Sequence, residues 1–145
     1  MIVADANVVL AGLRSSRGAS HRLLRQMLVG ETSFAVSPAV ALEYEDLLKR
    51  PGILGENPLI EAGAIDTVLD ALFRKARLVS PSFKFRPFLS DPKDDCYIEC
   101  ALAAGATYIV SNHRHFKNPA VSAFGMSVMN AGEYLAGRNE RRDPR

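Results

Sequence analysis

The sequence predicts an α/β fold, a three-layer α/β/α arrangement around a central, mainly parallel sheet. Short β-branched apolar runs such as TSFAVS and TYIVSN alternate with longer stretches whose apolar residues recur at helical spacing. Several of those stretches also carry helix boundary signals. The chain has 145 residues, 48% of them hydrophobic, enough for one domain with a buried core. We read that domain as residues 1–137, followed by a charged tail at 138–145.

Taken in order, MIVADANVVL opens with a β-branched run that reads as a buried strand ending near Asp5, and RSSRG, residues 14–18, is a polar loop. From Ser20 onward, Leu23, Leu24, Met27 and Leu28 mark a helix that Gly30 closes. TSFAVS is the second strand. SPAVALEYEDLLKRP follows as a helix with Ser37 as its N-cap, Pro38 in its first position and Pro51 beyond its end. Past the PGILGENP loop, Leu59, Ile60, Ile65, Val68, Leu69, Leu72 and Phe73 predict a helix over 59–76, and ARLVSP a short strand. Residues 92–104 form a helix stopped by Gly105, with Pro92 suited to its first position; TYIVSN is strongly β, and SVMNAGEYLAG gives a last strand and a short helix. The tail RNERRDPR, poor in apolar residues, is expected to fray.

Composition narrows the function classes. The formal charge of +2 is too small to indicate nucleic-acid binding by itself, so such a case must rest on local patches. No apolar run approaches the roughly 20 residues of a membrane span, and the N-terminus carries an acid where a signal peptide has basic residues. A cytoplasmic protein without membrane contact is expected. Cys96 and Cys100, four apart on a helix, read as small structural thiols in a reducing compartment.

Acidic residues carry the chemical signal. Sites of parallel α/β folds lie at the carboxyl ends of the strands. Asp5 ends the first strand, Glu43 lies about two turns into the helix after the second, and Asp94 and Asp95 head the helix before TYIVSN. A carboxylate at the end of a buried strand is costly without partners, so Asp5 is either a capping residue or a site residue. Glu43 lies at the edge of the face that should pack, whereas Glu45 and Asp46 read as solvated. Asp91 reads as a helix cap; Asp94 and Asp95 cannot face the same way, and the stripe through Ile98 and Ala101 places Asp94 nearer the buried side. Carboxylates brought close repel unless a cation lies between them. Hard oxygen ligands suit Mg²⁺ or Mn²⁺, and the matching chemistry is phosphodiester hydrolysis. Two rivals of the same architecture fall behind: position 7 is Asn rather than the second Asp of a phosphate-accepting aspartyl enzyme, and no glycine-rich nucleotide loop follows the first strand.

At these residues the sequence resembles the PIN domain family, in particular the toxin components of toxin–antitoxin systems related to the VapC ribonucleases. IVADANVVLAGL resembles the opening strand with its Asp-x-Asn, SPAVALEYEDLLKRP the Ser-Pro…Glu…Leu-x-Arg-Pro helix, and DPKDDCYIECALAAGATYIVSNHRHF the acidic helix leading into a strand and loop. The resemblance implies a metal-dependent endoribonuclease with Asp5, Glu43 and Asp94 as catalytic, metal-binding carboxylates. It further implies Asn7 as a polar support, Mg²⁺ or Mn²⁺ as cofactor, RNA as substrate, a cognate antitoxin as partner and a homodimer as the expected assembly. Asp95 then supports the site or faces solvent.

One departure stands out. Where the family commonly places an acid after the fourth strand, this chain reads Ser111-Asn112-His113-Arg114-His115-Phe116. His113 occupies the acidic position with Asn112 beside it, and either is a candidate to complete the site, with Ser111 as a possible support; His115 reads as a surface residue. Loss of that carboxylate is expected to weaken a second metal site. The contending class is therefore a catalytically impaired PIN-like module that binds RNA or a protein without turnover.

Basic residues supply RNA-binding candidates. Arg14 and Arg17 follow the first strand and are placed to steer phosphate toward the acids, with His21 and Arg22 next in line and Arg114 a further candidate. Lys84 and Arg86 alternate with Phe83, Phe85 and Phe88 in SPSFKFRPF, a pattern that fits single-stranded RNA or, equally, a loop anchored on the core by its phenylalanines.

Overall fold

The computed structural model describes residues 1–81, 95–112 and 125–142, with the backbone alone from 139. Asp91, Asp94, Lys84, Arg86, His113, Arg114 and His115 lie outside the described residues.

The first strand is shorter than its β-branched run. β1 covers Ile2–Ala4, in line with a strand ending near Asp5, and the chain turns at Asp5 into helix α1, Ala6–Arg14, most of which the sequence left without an assigned element. Val8 and Val9 carry β propensity, but Asp5 sits at the N-cap in extended conformation, its side chain accepting from the Asn7 backbone N–H. Ala6, Val8, Val9, Leu10 and Leu13 are buried, so packing outweighs a propensity difference of at most about 0.7 kcal/mol per residue.

Later boundaries match the sequence signals. α2 spans Ala19–Val29 and ends on Gly30, whose φ of 83° is left-handed and whose N–H reaches back to Gln26 and Met27. After β2, Ala35–Val36, the hydroxyl of Ser37 accepts from the Val40 N–H and Pro38 opens α3, Pro38–Leu48. The helix expected over 59–76 begins later, as a short 3-10 turn Ala62–Ala64 and then α4, Ile65–Lys75. β3 is Arg77–Leu78, α5 is Asp95–Ala104, β4 is Tyr108–Val110 and β5 is Ser127–Met129.

The last helix corrects the sequence reading of the tail. α6 runs Ala131–Arg142, well into the stretch expected to fray. Its Arg138 guanidinium donates to Thr32 Oγ1, to Gln26 Oε1 and to the Glu31 carbonyl. A cation there meets the carbonyl end of α2, where the helix dipole is negative, and α6 packs along α2.

All strand pairings are parallel. β4 lies between β1 and β5, and β2 pairs with β3. A parallel bridge between Ile2 and Phe34, with the Ile2 N–H donating to Ser33 O at 3.0 Å, joins the two groups. The spatial order is therefore β3-β2-β1-β4-β5. Connections run outward from β1 to β3 and then cross back to β4, so right-handed crossovers place the intervening helices on opposite faces, giving the three-layer α/β/α arrangement. α5 packs against β1, β2 and β4.

The closest helix contact is between α1 and α2. A Cβ on Gly12 would lie 2.9 Å from Ser20 O and 3.1 Å from Leu24. Gly→Ala inside a helix ordinarily gains about 0.5–1 kcal/mol, but overpacking costs about 1–3 kcal/mol, and a backbone oxygen cannot rotate away. Gly12→Ala is therefore expected to lower the urea midpoint with an unchanged slope; an equal or higher midpoint would show that the two helices separate freely.

Candidate functional site

The topology marks one place where a ligand site is expected. Strand order reverses between β1 and β4, and at such a switch point the carboxyl ends of the strands open onto a ligand site. Asp5 follows β1 there and Ser111 follows β4, and the two strand ends are tied by the Asp5 N–H donating to Val110 O at 2.9 Å.

Asp5 is 2% exposed. Its Oδ1 accepts from the Asn7 N–H at 3.2 Å and its Oδ2 from the Ser111 hydroxyl at 2.8 Å. The N-terminus of α1 adds the positive end of a helix dipole. The buried carboxylate thus has a hydrogen-bond donor on each oxygen and a helix N-terminus beside it. The support attributed to Asn7 comes through its backbone, and Ser111, named from the sequence only as a possible support, makes a direct contact.

Two buried tyrosines flank this turn. Tyr44 on α3 donates its hydroxyl to Ala4 O at 2.5 Å, and the Tyr97 hydroxyl on α5 accepts from the Ala6 N–H at 3.1 Å. Burial first, and the charge of Asp5 among the lesser causes, hold both phenols well above their usual pKa, so they stay neutral hydrogen-bonding groups. They also bring acidic helices to Asp5. Glu43, half-buried, adjoins Tyr44, and Asp95, 2% exposed, lies two residues before Tyr97 in the first turn of α5.

The structure therefore decides between the two readings of Asp95: it is buried rather than facing solvent. The sequence left both readings open because one residue of uncertainty in where a helix starts rotates every side chain by about 100°. Glu99, one turn further along α5 and 8% exposed, was not singled out from the sequence. Its signal was an acid four residues after Asp95, among the apolar and small residues of CYIECALAAG.

Arg14 and Arg17 are displaced from the place the sequence gave them. Nine helical residues separate Asp5 from the end of α1, about 13 Å along the axis, so these exposed arginines flank the site instead of lining it. Asn112 is exposed beyond Ser111. Cys96 and Cys100 form no disulfide, and burial pushes the Cys100 thiol up to about 11, keeping it protonated and unreactive near neutral pH.

The donor set is hard oxygen, which suits a small divalent cation. Among the described residues no group of three or more His, Cys, Asp or Glu is arranged to hold a metal ion. The Asp5 carboxylate is nonetheless of the donor type that suits an ion such as Mg²⁺, which commonly takes one or two carboxylates and keeps waters in its remaining positions. No helix among the described residues is long and apolar enough to cross a membrane.

Comparison with known proteins gives one match: the family model for the PIN domain covers residues 1–115. No curated protein and no solved structure matches the chain.

Ser111→Ala leaves a buried carboxylate oxygen without its hydroxyl donor. Hydrogen bonds to charged groups contribute about 1.5–3 kcal/mol, so urea unfolding near pH 7 should show a loss of that size. A loss below about 0.5 kcal/mol, the usual limit for a surface substitution, would mean that Asp5 does not rely on β4.

Proposed function

The chain belongs to the PIN domain family, a family of nucleases that generally use divalent metal ions, and on that premise we propose that it is a Mg²⁺- or Mn²⁺-dependent endoribonuclease. The single observation that carries this reading is the buried Asp5 carboxyl at the switch point of the sheet, held by Asn7 and Ser111 with Asp95 buried on the adjoining helix. Asp5, Glu43 and Asp94 are the proposed metal-binding carboxylates, with Asp95 joining them. A bound divalent ion would polarise the scissile phosphate and favour hydroxide over water as nucleophile.

The chain's own residues have distinct tasks in this reading. Asp5 presents fixed negative charge where a cation and a phosphate would meet, and Ser111 keeps it oriented. Exposed Arg14 and Arg17 draw the RNA backbone alongside the site, and in doing so they confer salt-dependent binding without sequence preference. Lys84, Arg86 and Arg114 remain candidates for the same role. The proposed setting is that of a toxin held by a cognate antitoxin, acting as a homodimer in the cytoplasm.

A second reading is favoured by one observation. After β4 the sequence reads Ser111-Asn112-His113, with His113, which lies outside the described residues, at the position where the family commonly has an acid. A PIN module that binds RNA or a protein without turnover would fit that substitution.

Cleavage of mixed single-stranded RNA decides between them, run with Mn²⁺, Mg²⁺ or chelator and with Asp5→Asn purified in parallel. The expected outcome is cleavage that needs metal and falls at least a hundredfold in Asp5→Asn, while the variant's metal-free melting temperature stays equal or rises through loss of a buried charge. Full activity in Asp5→Asn would refute the assigned site. Metal-bound wild-type protein that leaves RNA intact would favour the binding module.

A further inference from the structure

The turn from β1 into α1 strands two backbone groups. Ala4 O lies on the side of β1 facing β2, beyond the Ile2–Phe34 bridge where that pairing stops, and Ala6 N–H belongs to the first turn of α1, which has no helical acceptor. Each is met by a tyrosine hydroxyl from a different helix, Tyr44 of α3 at 2.5 Å and Tyr97 of α5 at 3.1 Å. Both rings are at most 2% exposed. They grip the residues on either side of Asp5, and each stands next to, or two residues from, another acid of the site.

We propose that Tyr44 and Tyr97 are positioning residues that set the separation of the site's carboxylates, Tyr44 locating Glu43 and Tyr97 locating Asp95 relative to Asp5. This rests on the metal-site reading above. Phenylalanine would fill both cavities equally well, so the sequence's use of a hydroxyl is explained by the two backbone groups rather than by packing. Without the hydroxyl, the helix stays docked by its apolar neighbours but its register against Asp5 is no longer fixed. Partners that orient metal ligands matter on this scale: losing one typically weakens metal affinity or activity by about 10–100-fold.

The test is a Mn²⁺ titration followed by thermal unfolding and, separately, by RNA cleavage, on wild type, Tyr44→Phe, Tyr97→Phe and Leu72→Val. Leu72 is fully buried on α4, away from the site, and controls for lost stability alone. The expected result is that each Phe variant needs about tenfold more Mn²⁺ for half-maximal protection and half-maximal cleavage, whereas Leu72→Val melts earlier with an unchanged Mn²⁺ midpoint. Phe variants with wild-type Mn²⁺ midpoints, whatever their melting temperature, would overturn the proposal. Should Tyr44→Phe fail to fold, Tyr97→Phe decides alone by the same criterion. Wild-type protein that Mn²⁺ does not protect would refute the metal site itself and this assignment with it, an outcome separable because it appears before any variant is compared.

Discussion

A carboxylate buried to 2% exposure at the end of a β-strand dictates much of the structure around it. Moving an unpaired charge out of water costs several kcal/mol even after relaxation, so Asp5 requires donors on every side the solvent has left. It obtains them from three parts of the chain: the first turn of α1 through Asn7, the end of β4 through Ser111, and the dipole of the helix it caps. Because Ser111 is 106 residues away in sequence, the charge can be accommodated only once β4 has paired with β1. The folded sheet and the hydrogen bonding of Asp5 thus depend on one another.

The same turn determines how the helices approach. A strand that gives way to a helix within one residue leaves backbone groups that neither element can satisfy. Tyr44 and Tyr97 meet those groups from α3 and α5, and the acids beside them come with the helices. What makes the region a site is this convergence at the switch point, where the parallel order β3-β2-β1-β4-β5 leaves a crevice that no strand fills.

The sequence revealed those parts of the fold that local chemistry punctuates. Ser37 with Pro38, and Gly30, mark helix ends whose capping contacts the structure reproduces, and the alternation of β-branched and helical stretches carried the α/β class. Helix α1 went unassigned because the β propensity of Val8 and Val9 blurs its helical spacing, and the cap at Asp5 with burial of Ala6, Val8, Val9, Leu10 and Leu13 defines it. The position of Asp5 as the chemical centre was legible from its cost of burial, and Asp94 lies outside the described residues. Asp95 was left open for a matter of helical phase, and the contacts of Tyr44 and Tyr97 were invisible because their partners are backbone atoms of another element. The extended helix α6 was missed for a similar reason: Arg138, one charge in a charged tail, is tied to residues more than a hundred positions earlier.

Divalent cation binding at Asp5 is what the proposed nuclease needs first. It can be followed by electron paramagnetic resonance of Mn²⁺, comparing wild type with Asp5→Asn at equal protein concentration and no RNA present. Wild type is expected to remove free Mn²⁺ from solution with a defined stoichiometry, and the asparagine variant to do so far more weakly. Equal binding by the two proteins would place any metal elsewhere and refute the role of Asp5.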